Sequence, residues 1–152
     1  MRALVAPGAL GPLTSLSLAG NGIGSNGVRA LVESQVPGSL TALNLAVNAI
    51  DDQGARALAE SESLGALATL DLSDNLIGPD GGCALAEARS LHALTALLLE
   101  GNRVRPQGAR ALAASRSLPR LAQLDLRRNA VGAGGSAALA ASESLRGCWV
   151  RS

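Results

Sequence analysis

The chain has 152 residues, 13 basic and 12 acidic, for a net charge of +1, so it has no global field to draw in nucleic acid or an anionic membrane. Hydrophobic residues make up 47% of it and aromatic ones 1%, the single Trp149. No apolar run is long enough to span a bilayer. No basic-then-apolar signal segment is read at its start, and the cysteines Cys83 and Cys148 fit neither a disulfide framework nor a metal spacing. A reducing, cytoplasmic location is therefore expected.

In chain order, residues 1–12 read as part of a repeat. Arg2-Ala3-Leu4-Val5 stands 27 residues before the identical Arg29-Ala30-Leu31-Val32, and Leu10 precedes the column Pro37, Leu64, Leu91, Leu118, Leu145. This stretch is expected to start inside a helix, as a partial unit or as the continuation of a longer chain.

Five units follow over residues 13–144. Their asparagines, Asn21, Asn48, Asn75, Asn102 and Asn129, are each 27 residues apart. Three leucine columns keep the same step, headed by Leu13, Leu16 and Leu18, and an Ile or Val follows each Asn by two. A fixed period of this length is the signature of a solenoid, in which each unit buries its apolar face only against its neighbours.

Within a unit the period changes. Thr69-Leu70-Asp71-Leu72 alternates, which predicts a short strand with its leucines turned inward. Asn75 then ends the strand, where its amide can bond backbone groups of its own loop and the next. Turn residues follow, such as Asp51-Asp52-Gln53 and Gly78-Pro79-Asp80, and then a short helix such as Gly54–Glu60. Pro79 and Pro106 suit a first helical turn, where the missing N–H costs nothing. The small-residue column Ala30, Ala57, Ala84, Ala111, Ala138 is expected to let the helices pack closely. Glu33, Glu60 and Glu87 are expected to face solvent.

Residues 145–152 depart from the pattern. In strict register Cys148 and Arg151 stand where leucines belong, so the strand formula looks lost. A degraded repeat or cap is expected, with Trp149 covering the last apolar layer.

The L-x-x-L-x-L-x-x-N-x-I/V phrase followed by G-x-x-x-L-A, matched throughout from Leu67 to Ala86, resembles the leucine-rich repeat superfamily and its ribonuclease-inhibitor-like class. The resemblance covers nearly the whole chain as a single domain. It implies an α/β solenoid, a horseshoe with an inner parallel sheet and outer helices. The phrase Gly-Ala-x-Ala-Leu-Ala at Gly54–Ala59 and Gly108–Ala113 is most similar to Ala-rich bacterial members such as GALA-type effectors, which act in the host cytoplasm. The F-box of those effectors has no counterpart here. The superfamily implies a protein partner on the concave face.

The residues between the leucines would form that face. Its columns run Ser15, Ala42, Thr69, Ala96, Gln123; Ser17, Asn44, Asp71, Leu98, Asp125; and Ala19, Ala46, Ser73, Glu100, Arg127. The loop edge adds Gly20, Val47, Asp74, Gly101 and Arg128. The expected protein-binding residues are Asn44, Asp71, Ser73, Asp74, Leu98, Glu100, Arg103, Asp125, Arg127 and Arg128. They read as an acidic stripe beside a basic rim, with Leu98 as an exposed apolar anchor and with no aromatic hot spot on the face.

Catalysis is not expected. Asp71 and Asp125 would lie two strand spacings apart, roughly 9.6 Å, too far to share one ion. His92 falls in a helix-to-strand turn without a fixed acid beside it. Cys83 shares a column with Arg29, Arg56 and Arg110 and is expected to be at least partly exposed. Gly132-Ala133-Gly134-Gly135 lacks the Lys-Ser/Thr of a phosphate loop. No metal, cofactor, nucleic acid, membrane or small-molecule substrate is expected. The function read here is a protein-interaction module, in a bacterial effector or host-interacting protein. The alternative is a regulatory or recognition segment of a larger enzyme or receptor, such as a ubiquitin-ligase-type effector, a NOD-like receptor or a GTPase activator.

Overall fold

A computed structural model describes residues 13–34 and 39–152. The expected partial repeat of residues 1–12 lies outside them. Six three-residue strands form one sheet in sequence order: β1 (Ser15–Ser17), β2 (Ala42–Asn44), β3 (Thr69–Asp71), β4 (Ala96–Leu98), β5 (Gln123–Asp125) and β6 (Trp149–Arg151). Every neighbouring pair is parallel. Between them run α1 (Gly24–Glu33), α2 (Asp52–Glu60), α3 (Pro79–Ala86), α4 (Arg105–Ala114) and α5 (Gly132–Ala140), each against the next. None of the described helices is long and apolar enough to cross a membrane.

The alternation behaves as expected. In β2 to β5 the middle leucines, Leu43, Leu70, Leu97 and Leu124, are buried, as are Leu45, Leu72, Leu99 and Leu126 two residues on. Helix leucines Leu58, Leu85 and Leu112 close each layer from the other side. This continuous apolar seam is the main stabilising term of the fold.

The asparagines bind the layers together. Asn75 is only 4% exposed. Its Oδ1 accepts from the N–H groups of Asn48 (3.0 Å) and Ile50 (2.9 Å) in the preceding unit. Its Nδ2 donates to Leu45 O across the interface and to Leu72 O and Ser73 O in its own strand. Asn48 makes the same bonds one unit earlier, and Asn102 and Asn129 repeat most of them later.

The helices begin earlier than the sequence suggests. The residues expected as turns already form the first helical turn; at α2 and α3 polar side chains satisfy its exposed N–H groups. Asp51 caps α2 by accepting from Gln53 N and Gly54 N. Asp52 reaches into the next unit and accepts from Gly78 N (2.6 Å) and Gly81 N (2.8 Å) at the start of α3.

A second small-residue column, beside the alanine column expected, makes the tightest approaches. Ala30 is exposed, and Ala57, Ala84, Ala111 and Ala138 are half-buried. The tight positions are the glycines. A Cβ on Gly81 would lie 2.7 Å from Ile77 Cγ2 and 3.1 Å from Ala55 Cβ; one on Gly108 would lie 2.6 Å from Val104 Cγ1 and 3.2 Å from Pro79 O.

Residues 145–152 complete a sixth strand. Trp149 N–H donates to Ala122 O, and Gln123, Leu124 and Asp125 pair with Trp149, Val150 and Arg151. The step into this strand is therefore 26 residues, one short of the others. Cys148 closes the preceding turn onto Leu145 O, as Leu121 does onto Leu118 O. The residue that would follow is missing, and Val150 takes the inward place assigned above to Arg151. Trp149 is thereby turned to the open face rather than over the last apolar layer.

Candidate protein-binding face

The sheet carries helices on one side, and its other side is open. Each strand turns its first and third residues to that open side, and their environments divide the expected binding residues into groups.

Asn44, Asp71 and Asp125 occupy one column and do one job. Each carboxylate or amide oxygen accepts from the N–H two residues on: Ala46 (2.9 Å), Ser73 (2.9 Å) and Arg127 (3.1 Å). This is the short-range turn bond that Asn and Asp favour, and it bends the chain off the sheet. Leu98 holds the same place in β4, with Asp71 and Asp125 beside it in register. It is half-buried, not the exposed anchor expected from the sequence, because it is flanked on both sides.

The acidic stripe and the basic rim are joined. Arg127 reaches Glu100 (2.5 Å) in the neighbouring strand and Asp125 (2.6 Å) in its own. Arg128 pairs with Asp74, two units away, and stands 3.8 Å from Glu100. Gly101 lies between those partners, and a Cβ there would run into both side chains. Burial pushes the buried Asp125 carboxyl up, but the bonds and charge of Arg127 and the charge of Arg151 outweigh it and hold the carboxyl below its usual range. Arg103 and Arg105 stand apart. Both are exposed and make no ion pair among the described residues.

The side chain that sequence reading missed on this face is Trp149. It occupies the column of Gln123, is 49% exposed, and carries the Arg151 guanidinium 3.9 Å above its ring. The expectation of a face without an aromatic is thus corrected. The shifted step of the last unit put it there. A register allowing one missing residue, with Val150 between two larger polar-tipped side chains, was the available signal.

Burial raises both the Cys83 and the Cys148 thiols above their ordinary range. Cys83 is half-buried in a shallow depression of about 410 Å³ on the helical side, with Arg56, Glu60 and Gln107. Among the described residues no group of three or more His, Cys, Asp or Glu side chains could hold a metal ion.

A leucine-rich-repeat family model matches residues 12–32, 39–59 and 67–86. No curated protein sequence matches the chain. Among solved structures, the tropomodulin C-terminal domain of Caenorhabditis elegans superposes with a TM-score of 0.67 at 16% identity, over 89% of this chain and 83% of that one. At that identity the likeness is one of fold.

Proposed function

We propose that this leucine-rich-repeat α/β solenoid binds a protein partner through the concave, open face of its sheet, centred on the C-terminal half. The observation that carries the reading is Trp149. A ring of that size, half in water with the Arg151 guanidinium over it, belongs to the residue types that dominate interface energies. Arg151 stacked on it and the Arg127–Glu100–Asp125 network beside it hold their shapes before any partner arrives, which lowers the ordering cost of binding. Ser73, Leu98 and the outer faces of Asp74 and Glu100 complete the platform.

The Gly-Ala-x-Ala-Leu-Ala helices support placing the chain among Ala-rich bacterial members of the ribonuclease-inhibitor-like class, and with them an effector role in a host cell. Trp149 is the only tryptophan of the chain, so its emission reports on this face directly. Proteins captured from host lysate by the wild-type chain should be lost with Trp149→Ala and with Ser73→Arg. A purified partner should shift the Trp149 emission on mixing. Capture that survives both substitutions, with Trp149 emission unmoved, would sink the concave-face reading.

A further inference from the structure

A second surface runs along the loops that leave the strands. These loops continue the sheet as a backbone ladder: Val47 N–H donates to Ser73 O, Leu76 N–H to Ile50 O, Arg103 N–H to Ile77 O and Arg105 N–H to Asn129 O, all between 2.7 and 3.0 Å. Side chains on neighbouring loops are thus about one strand spacing, ~4.8 Å, apart on a rigid base.

The composition of this strip changes along its length. At the start stand Gly20 and Gly22. Then come Val47, 57% exposed, and Leu76, 41% exposed, two of the three large apolar side chains most open to water among the described residues; the third is Trp149. Beyond them stand Arg103 and Arg105, exposed and without an acidic partner. Two acids on these loops are engaged elsewhere: Asp74 pairs with Arg128, and Asp51 accepts from Ser25 Oγ and the α2 amides.

Val47 is an outlier as well. Its φ is +57°, in the left-handed region, where the equivalent positions carry Gly20, Asp74, Gly101 and Arg128. A β-branched side chain is the least suited to that backbone. Burial returns little for it, since more than half of the residue is in water. The fold does not need a valine here.

We propose that this loop edge is a docking strip for an extended peptide segment of a protein partner, with apolar residues over Val47 and Leu76 and acidic residues over Arg103 and Arg105. The unpaired guanidinium groups set the charge of the partner, and the exposed apolar pair sets its other end. Val47 and Arg103 lie about two spacings apart along the ladder and two residues apart along their loops, and an extended peptide covers ~3.3 Å per residue. An acidic residue about three positions beyond an apolar one matches both. Asp51, on the Val47 side, disfavours the reversed direction.

The strip adjoins the platform at Ser73 and Asp74 but does not include Trp149, so separate substitutions tell the two apart. A phage-displayed library of random twelve-residue peptides is selected on the full chain, and enriched peptides are measured by fluorescence anisotropy. Enrichment of Leu, Ile or Val followed by Asp or Glu is expected, with binding weakened tenfold or more by Arg103→Glu with Arg105→Glu, and by Val47→Gly. Val47→Gly relieves the backbone, so its loss of binding is not a loss of fold. Trp149→Ala should leave binding unchanged. The proposal is overturned by the absence of enrichment, by enriched peptides without acids, by binding that follows Trp149 instead, or by a single-stranded oligonucleotide of equal charge competing equally well.

Discussion

A single asparagine side chain ties each layer of this fold to the one before it. Asn75 bonds five backbone groups, three of them in the preceding unit, and four of the five bonds are buried. Asn75→Ala should therefore cost about 3 kcal/mol or more, measured by urea denaturation, since each buried group left unpaired costs about 1–3 kcal/mol. Asn75→Asp keeps the acceptor and loses the donors, facing a carboxylate with three carbonyl oxygens. Its folded pKa is raised, so its stability should be greatest at low pH and fall as pH rises. The native acids behave in the opposite sense. Ser25 Oγ is the largest of the influences on Asp51 and, with the α2 N–H groups, holds its carboxyl below 3.8; Asp125 is lowered too. Their contribution is present above the unfolded value and lost as pH falls through the folded one. A pH titration of stability should show this acid limb, and Asp51→Asn should flatten it.

The helices and strands set a different kind of limit. Replacing a helical glycine by alanine ordinarily gains about 1 kcal/mol. Gly81→Ala should instead lose about 1–3 kcal/mol, because its Cβ would press on Ile77, Ala55 and Asp52 and the layers cannot spread. Gly134→Ala, in α5, meets only the end of the Arg110 side chain and should stabilise the chain by about 0.5–1 kcal/mol. Thermal melts of the two variants should therefore move in opposite directions. The repeat made the scaffold legible: Leu70, Leu72 and Asn75 recur because every layer has the same neighbours. Two things were not legible. Alternation tells that Glu100 and Arg127 share a face, but not that their side chains meet, since that depends on rotamers and on the small Gly101 between Asp74 and Arg128. The strand at Trp149 was hidden because pairing follows the neighbouring backbone, and one missing residue reverses which side chains turn outward.

For the molecule as a whole, stability is close to a sum over layers and the contacts between them. The open face breaks that uniformity. The early strands present Ser15, Ser17, Ala42 and Asn44, while the later ones carry the Glu100–Arg127–Asp125 network and Trp149. A partner gripping the last three strands would stabilise that end first. Hydrogen exchange with partner bound should slow most at amides of β4 to β6, and slowing confined to β1 and β2 would contradict the placement of the binding face.

The asparagine bonds also make length a separable quantity. Those between units link positions 25, 27 or 30 apart, so removing residues 67–93 joins Ala66 to Leu94 and brings Asn102 to the amides of Asn48 and Ile50 that Asn75 now serves. The shortened chain should still fold cooperatively, with a smaller denaturant m-value in keeping with its smaller buried surface. It would lose the Asp74–Arg128 bridge and bring Arg103 next to Ala49. Genetic gain or loss of one 27-residue unit thus leaves the architecture whole while rewriting in a single event what the surface recognises, a route by which such a gene can change partners without passing through an unfolded product.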